Sequence, residues 1–359
     1  MIQAVILGFV LNFAVITGFS TQEKKEAKQK EESKPIYIPK EVKTIFQEGM
    51  KTRQPRLDIP FTIVENLYLP AQSNIHSIFI FKVKNADLGF APVVLAPEKG
   101  KEEEEKQQKS ESSSEPMSAE LQARNHIFIQ VNRKDSEFVK EIYIPFNLSI
   151  ESASYDPNKE EIYTVGYPLP PGDYLLSMAI ASKKLEKIGT QYFELSLPDS
   201  LSFTENLDTT PIFFSKNIQK ISSPESIIKV HKEFFTYSAL QIEPNLEKVF
   251  SPGENLDIFF FIFGTKPDEQ KQFDIDINYE VLKGEEKIIR YASQKYNFPL
   301  VSQPLPMKKT VLIKTKKGET IEERKEQRDL GPGIYTLSID IKDNISGLSL
   351  KKAIDFEVK

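Results

Sequence analysis

Two stretches of the chain, YPLPPGDYLLSMAIA at Tyr167–Ala181 and RDLGPGIYTLSIDIK at Arg328–Lys342, each place Pro-Gly-x-Tyr-x-Leu-Ser before an alternating apolar run. Tyr174, Leu176, Met178 and Ile180 fall on one strand face, and Ser177 and Ala179 on the other. Tyr335, Leu337, Ile339 and Ile341 repeat the stripe. Proline presets φ and glycine accepts positive φ, so each motif predicts a sharp turn into a strand. The tyrosine is expected to bury its ring while its hydroxyl pins the turn backbone. Pro171, Gly172 and Tyr174, with Pro332, Gly333 and Tyr335, are the predicted turn anchors, and their role is structural.

The same period of two marks many further segments. FTIVENLYLP, SIFIFKVK at Ser77–Lys84, HIFIQVN at His126–Asn132, EIYIPFNLSIESASY and TQYFELSLPD read as strands bounded by Pro, Asn and Gly. A second series follows: FTYSALQIEPN, VFSPGENLDIFFFIFG, FDIDINYEVLKG, EKIIRY and KAIDFEV. TVLIKTKKGETIEERKEQ adds a strand and a polar hairpin. In FDIDINYEVLKG, Phe273, Ile275, Ile277, Tyr279 and Val281 are expected inward, and Asp274, Asp276, Asn278 and Glu280 outward. About seven short strands per half, with regular turn signals, predict an all-β chain of two tandem immunoglobulin-like β-sandwiches.

Other periods mark other parts. Ile2–Phe19 is an apolar run with no charged side chain, followed by Thr21–Pro35, where Glu and Lys alternate. This predicts an export signal or a membrane anchor ahead of a solvated linker. Lys40–Gln54 sets Val42, Ile45, Phe46 and Met50 on one helical face, which predicts a short helix on the first domain, weakened by Gly49. Glu98–Pro116, EKGKEEEEKQQKSESSSEP, has no aliphatic or aromatic residue and predicts a disordered insertion within a hairpin. The expected organisation is a signal or anchor over 1–20, a linker with the helix over 21–56 and a first sandwich over 57–200 carrying the insertion at 98–116. A connector over 201–225 and a second sandwich over 226–359 complete it.

Composition narrows the function classes. The 359 residues carry a formal charge of -5, and 40 of the 47 basic residues are lysine. No nucleic-acid partner is expected from such a balance. The chain has no Cys, which excludes disulfides, thiol catalysis and thiolate metal sites. There is no Trp either, which counts against a carbohydrate platform.

The repeated Pro-Gly-x-Tyr turn, its strand and IKDNISGLSLKKAIDFEV at Ile341–Val358 resemble the late strands of bacterial immunoglobulin-like and fibronectin-type-III-like domains. RLDIPF at Arg56–Phe61, LYLPA at Leu67–Ala71 and FKVKNADLGF at Phe81–Phe90 resemble β-rich portions of exported bacterial proteins. The immunoglobulin Cys–Trp–Cys core is absent. The resemblance implies an exported, non-catalytic role.

Candidate chemistry is sparse. The three histidines are His76, His126 and His231. His76 and His126 lie near strand starts, where cross-strand proximity is conceivable, and His231 is expected on a strand's polar side. Asp274 and Asp276 share a strand face about 7 Å apart, a spacing open to Ca²⁺ or to paired carboxylate chemistry. Tyr163, Tyr167 and Phe203 are the aromatics near turns that could dock a protein or a sugar. No catalytic group, cofactor or metal site is assigned. The expected function is a structural or interaction protein of the bacterial cell envelope, periplasmic or extracellular, with an envelope protein or a polysaccharide as partner. The membrane enters only through the N-terminal segment. The alternative is a substrate-binding accessory module of an extracellular enzyme system.

Overall fold

The computed structural model describes residues 38–71, 74–92, 120–199, 204–317 and 320–359, without the side chains of 315–322. The apolar N-terminal segment, the linker before residue 38, the 98–116 insertion and Phe203 lie outside these residues. One helix, α1 (Lys40–Thr52), precedes β1 (Phe61–Pro70), β2 (Ile75–Lys84), β3 (Ala91–Pro92) and β4 (Glu120–Arg133). Next come β5 (Val139–Glu151), β6 (Glu160–Leu169), β7 (Gly172–Ser182) and β8 (Ile188–Leu197). The middle of the chain carries β9 (Asp208–Thr209), β10 (Phe213–Lys220), β11 (Val230–Lys232), β12 (Phe235–Tyr237), β13 (Leu240–Pro244) and β14 (Val249–Phe250). The longer strands that follow are β15 (Asn255–Phe263), β16 (Ile275–Lys283), β17 (Glu286–Arg290), β18 (Gln294–Tyr296) and β19 (Leu300–Pro306). The chain ends with β20 (Lys308–Lys317), β21 (Thr320–Asp329), β22 (Gly333–Asp343) and β23 (Ser349–Val358). The protein is all-β, in the sandwich class.

The first compact unit is Ile36–Leu197 together with Gln219–Gln241. One of its sheets runs β1-β2-β6-β11; in the other, β4 pairs with β3, β5 and β7, and β7 with β8. The layers meet through aromatic edges: Phe79 on β2 packs against Phe193 on β8, and Phe81 against Phe146 on β5. Strand β7 is buried on both faces, including Ser177 and Ala179, which alternation assigns to an outer side. Helix α1 is the reason. Its Val42 and Phe46, with Ile38 just ahead of it, form a core with Phe128, Ala179, Ala181 and Ile188. Gly49 is required where it stands, since a Cβ there would lie 1.8 Å from the Tyr192 hydroxyl, which donates to the Ile45 carbonyl.

The second unit is formed by Pro198–Ile218 and Ile242–Lys359. Strands β13, β10, β15 and β19 line up in one sheet, with β9 also on β15. The facing sheet runs β14-β23-β22-β16-β17, with β18 on β16. One core joins them, including Phe214, Ile258 and Phe260 from one sheet and Ile277, Tyr279, Leu337 and Phe356 from the other. Ile275, Ile277, Tyr279 and Val281 are fully buried, as their alternation predicts, whereas Glu280 is also buried and bound to Lys287 and Arg290.

The partition differs from the expected boundaries. The segment expected to connect domains over 201–225 contains β9 and all of β10, which pairs Phe213 with Phe259 and Phe214 with Ile258. The chain beyond Ser226 first returns to the first unit. There β11 pairs with β6, Val230 opposite Val165 and Lys232 opposite Tyr163. The pairing is fastened by Glu161, a carboxylate 3% exposed that holds both Lys159 and Lys232 at 3.0 and 3.1 Å.

Candidate functional site

The two repeated turns have one geometry. Tyr174 and Tyr335 stand at the third position of β7 and β22, are buried, and donate their hydroxyls to the Pro170 and Gly331 carbonyls at 2.7 and 2.8 Å. Each bond spans four residues and closes the turn that carries Pro171 or Pro332. Gly172 and Gly333 adopt φ of +140° and +149°, a region that side chains with a Cβ rarely enter. Burial raises the Tyr174 phenol above its ordinary pKa. The Tyr335 ring stacks on Phe356, with the Lys283 ammonium 5.3 Å from its centroid.

The histidines are not brought together. His76 lies on β2 and His126 on β4, in different sheets. His126 is on the face of Phe128, toward α1, where Nδ1 meets the Tyr143 hydroxyl at 3.0 Å and Nε2 the Lys183 carbonyl at 3.3 Å. His76 is on the outer side of its own sheet, so the two rings point away from each other. His231 bonds Glu225 at 2.8 Å and packs on Phe234. Glu225 also accepts from Thr236. Desolvation pushes its carboxyl up, but His231, Thr236 and Lys229 outweigh that and hold it below the usual range.

Asp274 and Asp276 do share a face, but one amide ties them together. The Asn344 Nδ2 donates to Asp274 at 3.1 Å and to Asp276 at 2.9 Å. The neighbouring Asp343 is buried and fastens its loop through the Lys266 and Ile345 amides and the Ser346 hydroxyl. These carboxylates bind a hairpin. Among the described residues, no group of three or more His, Asp or Glu side chains is placed to hold a metal ion. Tyr163, expected near a turn and available for docking, is buried between Phe81 and Phe146 because it faces the inter-sheet core. Tyr167 is half-buried.

The surface that the residues do build lies in the second unit. Strands β20 and β21 pair with each other over their full length, from Lys308 opposite Asp329 to Lys317 opposite Thr320, and form a two-stranded sheet of their own. Such a ribbon buries little on its own and is marginal without a surface to lie on. Its charges are interleaved: Glu326 lies between Arg324 and Arg328 at 2.9 and 3.0 Å, and Lys314 meets Glu323 at 2.8 Å. Leu312 stands among them, 46% exposed.

At the base of the ribbon is a recess of about 550 Å³, walled by Ile288–Ala292, Pro306, Lys308, Thr310 and Gln327. Tyr291 donates to the Pro306 carbonyl at 2.9 Å, and the Gln327 amide to the Thr310 hydroxyl at 2.9 Å. Burial pushes the Tyr291 phenol well above its ordinary pKa. Arg290 is held by Glu280, whose carboxyl is kept below the usual range by Lys287 and by Arg290 itself. Ile288, Ile289 and Tyr291 give the recess its apolar wall, and Lys308, Thr310 and Gln327 its polar one. Sequence reasoning found the strand and polar hairpin but not this recess. Its walls come from segments nearly forty residues apart.

No helix among the described residues is long and apolar enough to cross a membrane. No protein-family model matches the chain, and no curated protein matches it. Among solved structures, the chain is similar to one described as the M60 catalytic domain with the CBM51-1 and CBM51-2 domains from Clostridium perfringens ZmpB. The identity is 9% and the TM-score 0.12, over 84% of this chain and 39% of that one. This chain therefore spans less than half of that structure, and a likeness so slight carries no argument.

Proposed function

We propose that this protein is a non-catalytic structural or interaction protein of the bacterial cell envelope. In this reading its two units are immunoglobulin-like sandwiches, its N-terminal apolar segment directs export, and the β20–β21 ribbon is its contact element. The observation that carries the reading is the ribbon: two ten-residue strands that, among the described residues, pair only with each other, with an exposed Leu312 between charges and a recess at its base. The groups with catalytic potential support it from the other side. Both His126 nitrogens, the Asp274–Asp276 pair and Glu225 are engaged in bonds that hold the fold.

The sandwich assignment draws on a repeated strand plan. In the first unit, β1-β2-β6 faces β5-β4-β7-β8; in the second, β10-β15-β19 faces β17-β16-β22-β23. Each half places a corner tyrosine at the start of the equivalent strand, its hydroxyl bonded four residues back, as immunoglobulin-like domains do.

Export is tested by fractionating cells that express the full chain and sequencing its N-terminus. The expected outcome is a chain in the periplasmic, extracellular or membrane fraction. An intact, soluble cytosolic chain would overturn the envelope assignment.

A further inference from the structure

The outer face of the first unit's β1-β2-β6 sheet is apolar and buried. Phe79 and Phe81 point into the sandwich, so Ile78 and Ile80, one residue out of step, point away from it, as does His76. Leu67 and Leu69 stand directly opposite Ile78 and His76 on the same face. All four aliphatic side chains are 1% exposed or less. The segment after β11 lies on this face. The Phe234 carbonyl accepts from Thr164, Phe235 is buried, and Tyr237 donates to the Pro70 carbonyl at 2.6 Å.

His76 sits beneath that segment. Its ring lies 6.0 Å from the Tyr237 ring, beside the Thr236 backbone. Among the described residues its Nε2 is buried with no partner. Gly166 leaves room for the ring: a Cβ there would lie 2.7 Å from both Cε1 and Nε2. A neutral imidazole can leave its buried Nε2 without a proton. A protonated one would carry an N–H there, where no acceptor stands among the described residues.

We propose that His76 is a pH sensor whose protonation releases the Phe234–Tyr237 clasp from the outer face of the β1-β2-β6 sheet. Water can reach Nε2 only if a covering element moves. The clasp meets this face through the Thr164–Phe234 and Tyr237–Pro70 hydrogen bonds and pairs along its other edge with β13, whereas β1 and β6 are paired with β2 along their length. The groups facing His76 offer the added charge no counter-ion. β1 presents Leu69, β6 presents Gly166 and Pro168, and the clasp presents Tyr237, whose phenol burial holds far above its ordinary range. Of the carboxylates on the clasp side, Glu225 is committed to Thr236 and His231, and Glu233 immediately precedes the clasp and acts on Tyr163 and Lys159.

The sign follows from burial, which lowers the His76 pKa from its ordinary value of 6.5 against the opposing pull of the Thr236 backbone. The released state binds the proton more tightly, so docking is complete above about pH 6.5. It weakens below that, by at most about tenfold per pH unit, until the docked imidazole itself titrates.

The test is amide exchange of the full chain at pH 7.5 and pH 5.5, corrected for intrinsic rates and read on Glu233–Tyr237. The expected result is a protection loss of at most about tenfold at the lower pH, confined to the clasp, absent in His76→Phe and retained in His231→Gln. Unchanged wild-type protection would overturn the proposal, as would an equal loss in His76→Phe. A second measurement needs no substitution: the Cε1–H resonance of His76 followed against pH in the wild type. Titration below about pH 6.5 together with the Tyr237 ring signals supports the switch, and titration without any response of Tyr237 contradicts it.

Discussion

Replacing Tyr174 by alanine should destabilise the first unit by about 3–5 kcal/mol, the cost of truncating a fully buried aromatic, and the same change at Tyr335 should fall on the second unit. Both rings are buried and both hydroxyls close a turn, so Tyr→Phe should cost about 1 kcal/mol, the worth of one hydrogen bond. The informative readout is hydrogen exchange resolved along the chain, because unfolding of a two-unit chain need not be two-state. Tyr174→Ala should lower protection in Ile36–Leu197 and also in Gln219–Gln241, which lies far along the chain but belongs to the same unit. Tyr335→Ala should spare that segment and loosen β15, β16, β22 and β23. If Gln219–Gln241 instead follows Tyr335, the partition is wrong. If neither substitution lowers protection, the repeated motif is not a fold requirement.

Phe46→Ala is the second large effect. Phe46 is fully buried on the outer face of the β4-β7-β8 sheet with Phe128, Ala179, Ala181 and Ile188. Its loss should cost about 3–5 kcal/mol and release α1, since a thirteen-residue helix is marginal without a surface to pack on. The chain has no Trp, so tyrosine fluorescence reports the unfolding, and Tyr192, whose hydroxyl donates to Ile45, is a local probe. A loss below about 0.5 kcal/mol, the level of an ordinary surface change, would mean that the helix is not docked.

The parts of this fold that were legible in the sequence are those with a local cause. The alternation in FDIDINYEVLKG set the buried stripe of β16, and the spacing of Val42 and Phe46 set the buried face of α1. The Pro-Gly-x-Tyr turns were legible because their chemistry is contained within five residues. What covers a strand's second face is not local. Ser177 and Ala179 looked like an outer side, and only the arrival of α1 makes them buried. Small residues at such positions were the available signal. Val230–Lys232 is too short to display a period, so its return to β6 could not be read from pattern. The partners of His126 are 17 and 57 residues away, and Asn344 reaches Asp274 and Asp276 across about seventy. Those side chains looked free because their partners were distant. The hairpin over Thr310–Gln327 was legible as a strand and a polar turn, but not its separation from both sheets.

The central claim is that the β20–β21 ribbon of an exported protein makes the functional contact. The absence of cysteine makes it directly testable, because Leu312→Cys places a single thiol on the exposed ribbon. Intact cells expressing this variant would be treated with a thiol-reactive cross-linker that does not cross the cytoplasmic membrane. The account predicts a discrete adduct heavier than the chain, formed from Leu312→Cys and not from a control thiol at Ile228→Cys on the first unit. No adduct, or the same adducts from both positions, would contradict it.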